Sequence, residues 1–231
     1  PLNDRLLKDP QVDLVIGLGL IASQDLATRG PLPKPVIAPV IVDVARQHVP
    51  YRNGISGVKN LHYLVYPQTF ERDLQLYRDI VPIRRLVNLQ SKRYRDVLPP
   101  PETKSEETNK KLGLEVTDLL FDASADDVLA KIPADADAVF LGPILHMAPS
   151  EFDKLVKGFI NRRLPSFSFF GEGEVRRGIM ASANPDILPR LVRRIALNVQ
   201  RIRDGEEPGS LSVAFTPGKR LTVNLATAYA V

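Results

Sequence analysis

Apolar residues recur along this chain with two alternating periods, and the alternation predicts its elements. Val12 to Ile16 is a short apolar run that enters Gly17-Leu18-Gly19, and Ser23 to Arg29 suits a short helix. Val36 to Val42 is a second apolar run closed by Asp43, after the rigid connector Pro31 to Pro35. An irregular stretch, Arg46 to Tyr66, follows. Thr69 to Val81 then sets Phe70, Leu74, Tyr77 and Val81 on one helical face, with Pro82 as the stop. Arg85 to Leu89, Leu114 to Phe121 and Ala138 to Leu141 read as further strands. Between them, Tyr94 to Leu112 is polar and broken by prolines, with helical character toward Lys111. Ser124 caps a helix running through Ile132, with Asp127 at its third position. Ser150 is expected to cap a helix carrying Phe152, Leu155, Val156, Phe159 and Ile160.

Leu164 to Phe170 reads as a buried aromatic strand stopped at Gly171 and Gly173, and Gly178 to Ala183 is another apolar run. Asn184 and Pro185 give a helix start, and Leu188, Leu191, Val192, Ile195, Val199 and Ile202 form its expected buried stripe. Gly205 and Pro208 end that helix, and two strands are expected around the Pro217-Gly218 turn. Strands alternate with helices from end to end, which predicts an α/β fold with parallel sheets. No internal repeat is evident.

The totals narrow the function classes. The chain has 231 residues, room for one large domain or two smaller lobes, and its 44% apolar and 25% charged content is ordinary for a globular protein. A net charge of +4 comes from basic residues scattered among nearly as many acids, which argues against a nucleic-acid footprint. The cluster Arg190, Arg193 and Arg194 reads as the solvated face of the last long helix. The absence of cysteine excludes disulfides and thiolate chemistry. No run approaches the ~18 apolar residues of a membrane span. The chain opens at Pro1 without methionine and reads as a piece of a longer one.

Taken together, LPSFSFFG, EVRRGIMAS, ALNVQRI with DGEEPGSL, and RLTVNLATA resemble the C-terminal part of ABC-transporter substrate-binding proteins. Upstream, Gly54-Ile55-Ser56-Gly57-Val58-Lys59-Asn60-Leu61 is similar to that family's inter-strand glycine loop. The resemblance implies a type 1 periplasmic-binding-protein-like fold, two Rossmann-like lobes with parallel sheets flanked by helices. It places residues 1–83 and 176–215 in one lobe, lacking that lobe's first strand and helix, and 84–175 with 216–231 in the other. It further implies a small organic ligand, an ABC permease in the inner membrane as partner, and a periplasmic or extracytoplasmic place with a lipid- or signal-anchored parent.

Candidate ligand residues follow from the rule that ligands sit at the carboxyl ends of parallel strands. Gly19 and Ser23 open a helix whose free N–H groups suit a carboxylate. Asp43 ends the next strand. Ser91, Arg93, Pro143, His146 and Gly171 follow three later strands, and Ile144 and Leu145 could seat an apolar group. Asn60 and Tyr63 are added from the family resemblance. His146 could donate to a ligand or serve structure alone.

Gly17-Leu18-Gly19-Leu20-Ile21-Ala22 with Asp43 also fits the dinucleotide fingerprint G-x-G-x-x-A. A nucleotide-dependent enzyme is therefore one alternative, and a sensor or transport-partner module without a transported solute is another. Catalytic patterns are otherwise missing. The three histidines lack metal-ligand spacing, no G-x-S-x-G elbow occurs, and Asp135 and Asp137 read as a solvated loop. No catalytic residue, metal or cofactor is expected.

Overall fold

The computed structural model describes residues 2–66, 70–98, 104–144, 146–216, 218 and 220–231. In chain order its helices are α1 (Leu2–Lys8), α2 (Leu20–Ala27), α3 (Phe70–Ile80), α4 (Lys104–Lys111), α5 (Ala125–Lys131), α6 (Pro149–Asn161), α7 (Glu172–Arg176), α8 (Leu188–Arg203) and α9 (Leu225–Ala230). Its strands are β1 (Val15–Ile16), β2 (Val36–Ile41), β3 (Leu61–Val65), β4 (Arg85–Ser91), β5 (Glu115–Phe121), β6 (Ala138–Leu141), β7 (Ser166–Ser168), β8 (Ala181–Ser182) and β9 (Thr222–Val223). The chain forms two compact units. One holds Pro1–Gln68, Asp96–Pro100 and Leu188–Pro217; the other holds Thr69–Arg95, Pro101–Ile187 and Gly218–Val231.

The first unit is built on a parallel sheet of order β1-β2-β3. Leu26, Val36, Ala38, Leu61 and Tyr63 fill its core. Pro39 sits inside the central strand, where a residue without an N–H breaks the ladder. The register shifts between Ala38 and Ile41, and the Val40 N–H donates to the Ser23 hydroxyl instead, at 3.0 Å. The outer edge of β3 is covered by the chain itself. Val65 N–H donates to Val213 (2.8 Å), and Val213 N–H to Gly54 (2.9 Å).

Three expectations for this unit change. The stretch taken as irregular, 46–66, contains β3, whose LHYLV run is hidden on both faces and so lacks alternation. The long basic helix starts at Leu188, not at Asn184 and Pro185. Its apolar stripe is also not buried: Leu188 is 62% and Val192 56% exposed, while Ile195, Val199 and Ile202 are half-buried. Leu191 and Asn198 are the residues that α8 buries. Asn198 holds the ring of His62 at 2.7 Å. Burial first, then the charges of Arg194 and Arg201, pushes that histidine down to about 4.

The second unit carries a six-stranded sheet of order β5-β4-β6-β7-β8-β9, parallel except that β9 runs against β8. The continuous run AVFL of β6 is explained by cover on both faces. Val139 and Leu141 pack with α5 and α6 through Val128, Leu155 and Phe159. Ala138 and Phe140 pack on the opposite face with Leu74 and Tyr77 of α3. α3 therefore belongs to this unit, not to the first lobe as expected, because its Leu74/Tyr77 face finds its apolar partners here. Residues 176–187 join it as well, since β8 pairs with β7.

Helix α6 starts two residues earlier than the Ser150 cap implies, with Ala148 at the cap and Pro149 at its first position. The expected strand pair at the carboxyl terminus is a single short strand, β9, followed by α9; Pro217 lies outside the described residues. Asn224 accepts from Thr227 N–H (3.1 Å), and this cap with alternating alanines turns the segment helical.

Candidate functional site

In the second unit four parallel strands end side by side at Ser91, Phe121, Leu141 and Ser168. The loops leaving those ends carry the polar groups. Ser91 is 3% exposed, and its hydroxyl accepts from Arg93 N–H at 3.2 Å, which starts the 3-10 turn Lys92–Tyr94. That turn raises Arg93 into solvent. Its guanidinium has no partner among the described residues, so it stays available to an anion.

The β6 loop is pulled tight at its start, where Gly142 N–H donates to Leu89 (3.0 Å). Half-buried Pro143 follows, and Ile144 is 3% exposed and part of the core, so it seats no ligand. Leu145 lies outside the described residues. His146 stacks on Phe121 (5.8 Å, 25° between planes) and meets the edge of Tyr94 (5.9 Å, 82°). Its Nε2 bonds the Asp122 carbonyl, an acceptor, so this nitrogen carries the hydrogen. The ring is thereby oriented with Nδ1 as an acceptor that the Ser91 hydroxyl can reach. The Ser91 hydroxyl lies 3.3 and 3.4 Å from the two ring nitrogens.

The β7 end forms a lip, Phe169-Phe170-Gly171. The two rings meet edge to face at 5.6 Å. Asn184 donates to the Phe169 carbonyl (3.0 Å) and to the buried Asp73 carboxylate (3.2 Å). Phe170 N–H donates to Ser168 Oγ (2.9 Å). Gly171 has φ +96°, and a Cβ there would stand 2.6 Å from the Asn184 carbonyl oxygen. Only glycine fits this turn without moving backbone.

The first unit also presents strand ends. Gly19, with φ +96° and open space around its Cα, precedes the eight residues of α2 at the end of β1. Asp43 lies at the end of β2, where Oδ1 accepts from Ala45 and Arg46 N–H (2.9 and 3.1 Å). The short α2 and this engagement of Asp43 leave the dinucleotide pattern without its usual crossover helix and free acid.

Seven of the ten expected residues thus lie at carboxyl strand ends, each within its own unit: Gly19 and Asp43, and Ser91, Arg93, Pro143, His146 and Gly171. Three do not. Ser23 is fully buried and donates to the Gly17 carbonyl (2.8 Å), besides accepting from Val40. Asn60 sits at the amino end of β3, donating to the Leu32 carbonyl (2.8 Å). Tyr63 is a core residue whose hydroxyl donates to the Pro50 carbonyl (2.6 Å), and burial pushes it up to about 12. Sequence reasoning missed Tyr94, Phe121 and Asn184, which frame the site. Tyr94 was legible only as part of a polar stretch, Asn184 only as a helix start, and Phe121 only as a strand end.

Among the described residues no three His, Asp or Glu converge to hold a metal ion, and no helix is long and apolar enough to cross a membrane.

No family model and no curated protein sequence matches the chain. Solved structures do. An ABC domain from Streptococcus pneumonia in complex with L-Trp aligns with 99% of this chain and 78% of its own, at TM-score 0.78 and 21% identity. The fold is periplasmic-binding-protein-like. The same binding-protein fold is shared with a carbohydrate transporter from Acidothermus cellulolyticus in complex with myo-inositol (TM-score 0.59, 12% identity, 99% and 79% of the two chains). A LacI family transcriptional regulator from Arthrobacter sp. FB24 in complex with lactose is also similar (TM-score 0.56, 16% identity, 95% and 80%). At these identities the likeness is one of fold. It agrees with the two α/β units.

Proposed function

We propose that this protein is the solute-binding component of an ABC-type importer, acting outside the cytoplasm. It takes one small organic ligand, an amino acid or another carboxylate, and ligand binding shifts it to a closed state by hinge motion. The observation that carries this reading is the group Ser91, Arg93 and His146 at the ends of β4 and β6, a free cation and an oriented imidazole beside aromatic rings. A guanidinium recognises a carboxylate by a paired hydrogen bond, and the rings offer an apolar surface to the rest of the ligand. The bound L-Trp of the streptococcal neighbour supports a ligand of that kind.

Arg93→Ala is expected to weaken carboxylate binding about tenfold or more, the worth of one charged hydrogen bond. Its thermal stability without ligand stays at the parent value, because the guanidinium is exposed and unpaired. Calorimetric titration of parent and variant with the same solute checks this, and equal affinities would remove Arg93 from the site.

The ligand-bound LacI regulator among the neighbours favours a second reading, a sensor module that binds a solute without handing it to a permease. Capture of a membrane permease by the liganded protein separates the two.

A further inference from the structure

At the foot of the β7 lip one hydroxyl oxygen serves two partners. Ser168 Oγ, fully buried, donates to the carboxylate of Glu174 and accepts the Phe170 N–H at 2.9 Å. We propose that Glu174 is a proton-linked positioning residue, which sets the hold on Phe170 in the Phe169-Phe170-Gly171 lip through the Ser168 hydroxyl. This rests on the reading that the lip borders the ligand site.

The argument is one of hydrogen-bond inventory. A serine hydroxyl has one proton to give. While Glu174 is ionised it can only accept, so the Ser168 proton points to it and a lone pair faces the Phe170 amide. A protonated Glu174 can donate to the same oxygen, freeing the Ser168 proton to turn elsewhere and weakening the hold on Phe170. The rest of the lip is fixed independently of this proton, by Asn184 on the Phe169 carbonyl and by the Gly171 turn. Phe170 is the point that responds.

The surroundings place the titration in a useful range. Burial pushes the Glu174 carboxyl up to about 7, against the lowering effects of Ser168 and Arg177. Arg177, on the segment following α7, is itself held by Asp153 of α6 (2.6 Å) and lies over the Phe152 ring (4.1 Å). The other charges on α7 are turned to each other, Arg176 donating to Glu172 (2.5 Å), and Arg220 from the β9 side also approaches Glu172 (3.6 Å). From α3 the buried Asp73 is paired with Arg72. Among the described residues no cation bonds Glu174, in contrast to these acids.

The test needs no ligand, so its failure is distinct from failure of the solute-binding reading. Backbone amide signals of Phe170 and Gly171 are followed by NMR from pH 5 to pH 9 in three proteins. In the parent, the Phe170 amide is expected to shift with a midpoint near pH 7. In Glu174→Gln, which keeps an acceptor for Ser168, the shift disappears while the spectrum stays dispersed. In Ser168→Ala the Glu174 side-chain carbon still titrates but Phe170 no longer follows. A parent amide that does not move, an unchanged titration in Glu174→Gln, or Phe170 movement persisting in Ser168→Ala each overturns the proposal.

Discussion

Tyr77→Ala is expected to destabilise the second unit by about 4 kcal/mol, in the range of large aromatic-to-alanine changes in packed cores. The ring is fully buried and stacked on Phe167 at 3.9 Å with 13° between planes. Its hydroxyl accepts from Ala183 N–H (3.2 Å) and donates to the Ser168 carbonyl (3.3 Å), tying α3 to the ends of β7 and β8. Burial, then the Asp73 charge, raises the phenol above its usual range, so it remains a donor at every working pH. Truncation therefore opens a cavity and also leaves a buried N–H without a partner. Tyr77→Phe separates the two effects. It keeps the stack and is expected to cost about 1–2 kcal/mol, the penalty of orphaning the polar groups. Chemical unfolding of parent and both variants checks the pair. Equal losses for alanine and phenylalanine would show that packing on Phe167 contributes nothing.

Gly209→Ala is the second large effect, and it falls in the first unit. Gly209 needs no unusual φ, yet a Cβ built on it would stand 2.2 Å from the Val58 carbonyl oxygen and 2.9 Å from its carbon. The two backbones are drawn together because Gly57 N–H donates to the Gly209 carbonyl (3.0 Å), while Glu207 receives Asn60 N–H (2.6 Å). No flexible side chain can give way, so the methyl group must push the turn Pro208–Ser210 off the glycine loop. The expected loss is about 2–3 kcal/mol, that of overpacking a fitted interior. Amide exchange should quicken in β3 and in residues 211–214, with β4 to β7 unchanged. A variant as stable as the parent would mean that this contact is not close in solution.

How much of this was legible in the sequence depends on what hid each element. β6 and α6 were clear because AVFL is apolar throughout and FDKLVKGFI keeps helical spacing. β3 was lost in an apparently irregular stretch, since LHYLV contains a histidine and a tyrosine that read as loop residues, although the fold buries both, with His62 Nε2 on Asn198 and the Tyr63 hydroxyl on the Pro50 carbonyl. The stripe of α8 was read from its period, which reports amphipathicity but not what lies opposite; Leu188 and Val192 are exposed all the same. The carboxyl terminus misled because Pro217-Gly218 suggested a turn between two strands, whereas the one strand β9 at Thr222 and Val223 is followed by a helix that Asn224 and three alanines favour.

The site divides in the same way. Strand-end logic put Ser91, Arg93, His146 and Gly171 after carboxyl strand ends, where the fold has them, because a loop after a buried parallel strand is visible in sequence. It failed at Ser23, whose hydroxyl is consumed by the bulge that Pro39 imposes on β2. The family resemblance misplaced Asn60, which lies at the amino end of β3. Asn184 and Glu174 bond carbonyl, carboxylate and hydroxyl groups brought near only by folding, which the helix-start reading of Asn184 did not foresee.

The central claim is that a small organic solute binds this fold. Thermal-shift screening of the chain against amino acids, other carboxylates, sugars, polyols, nucleosides and dinucleotides tests it most directly. The account predicts stabilisation by a small organic solute, foremost an amino acid or carboxylate, of ~2.7 kcal/mol at a concentration 100 times its dissociation constant. Silence across the whole library, or stabilisation by NAD-type dinucleotides alone, would contradict it.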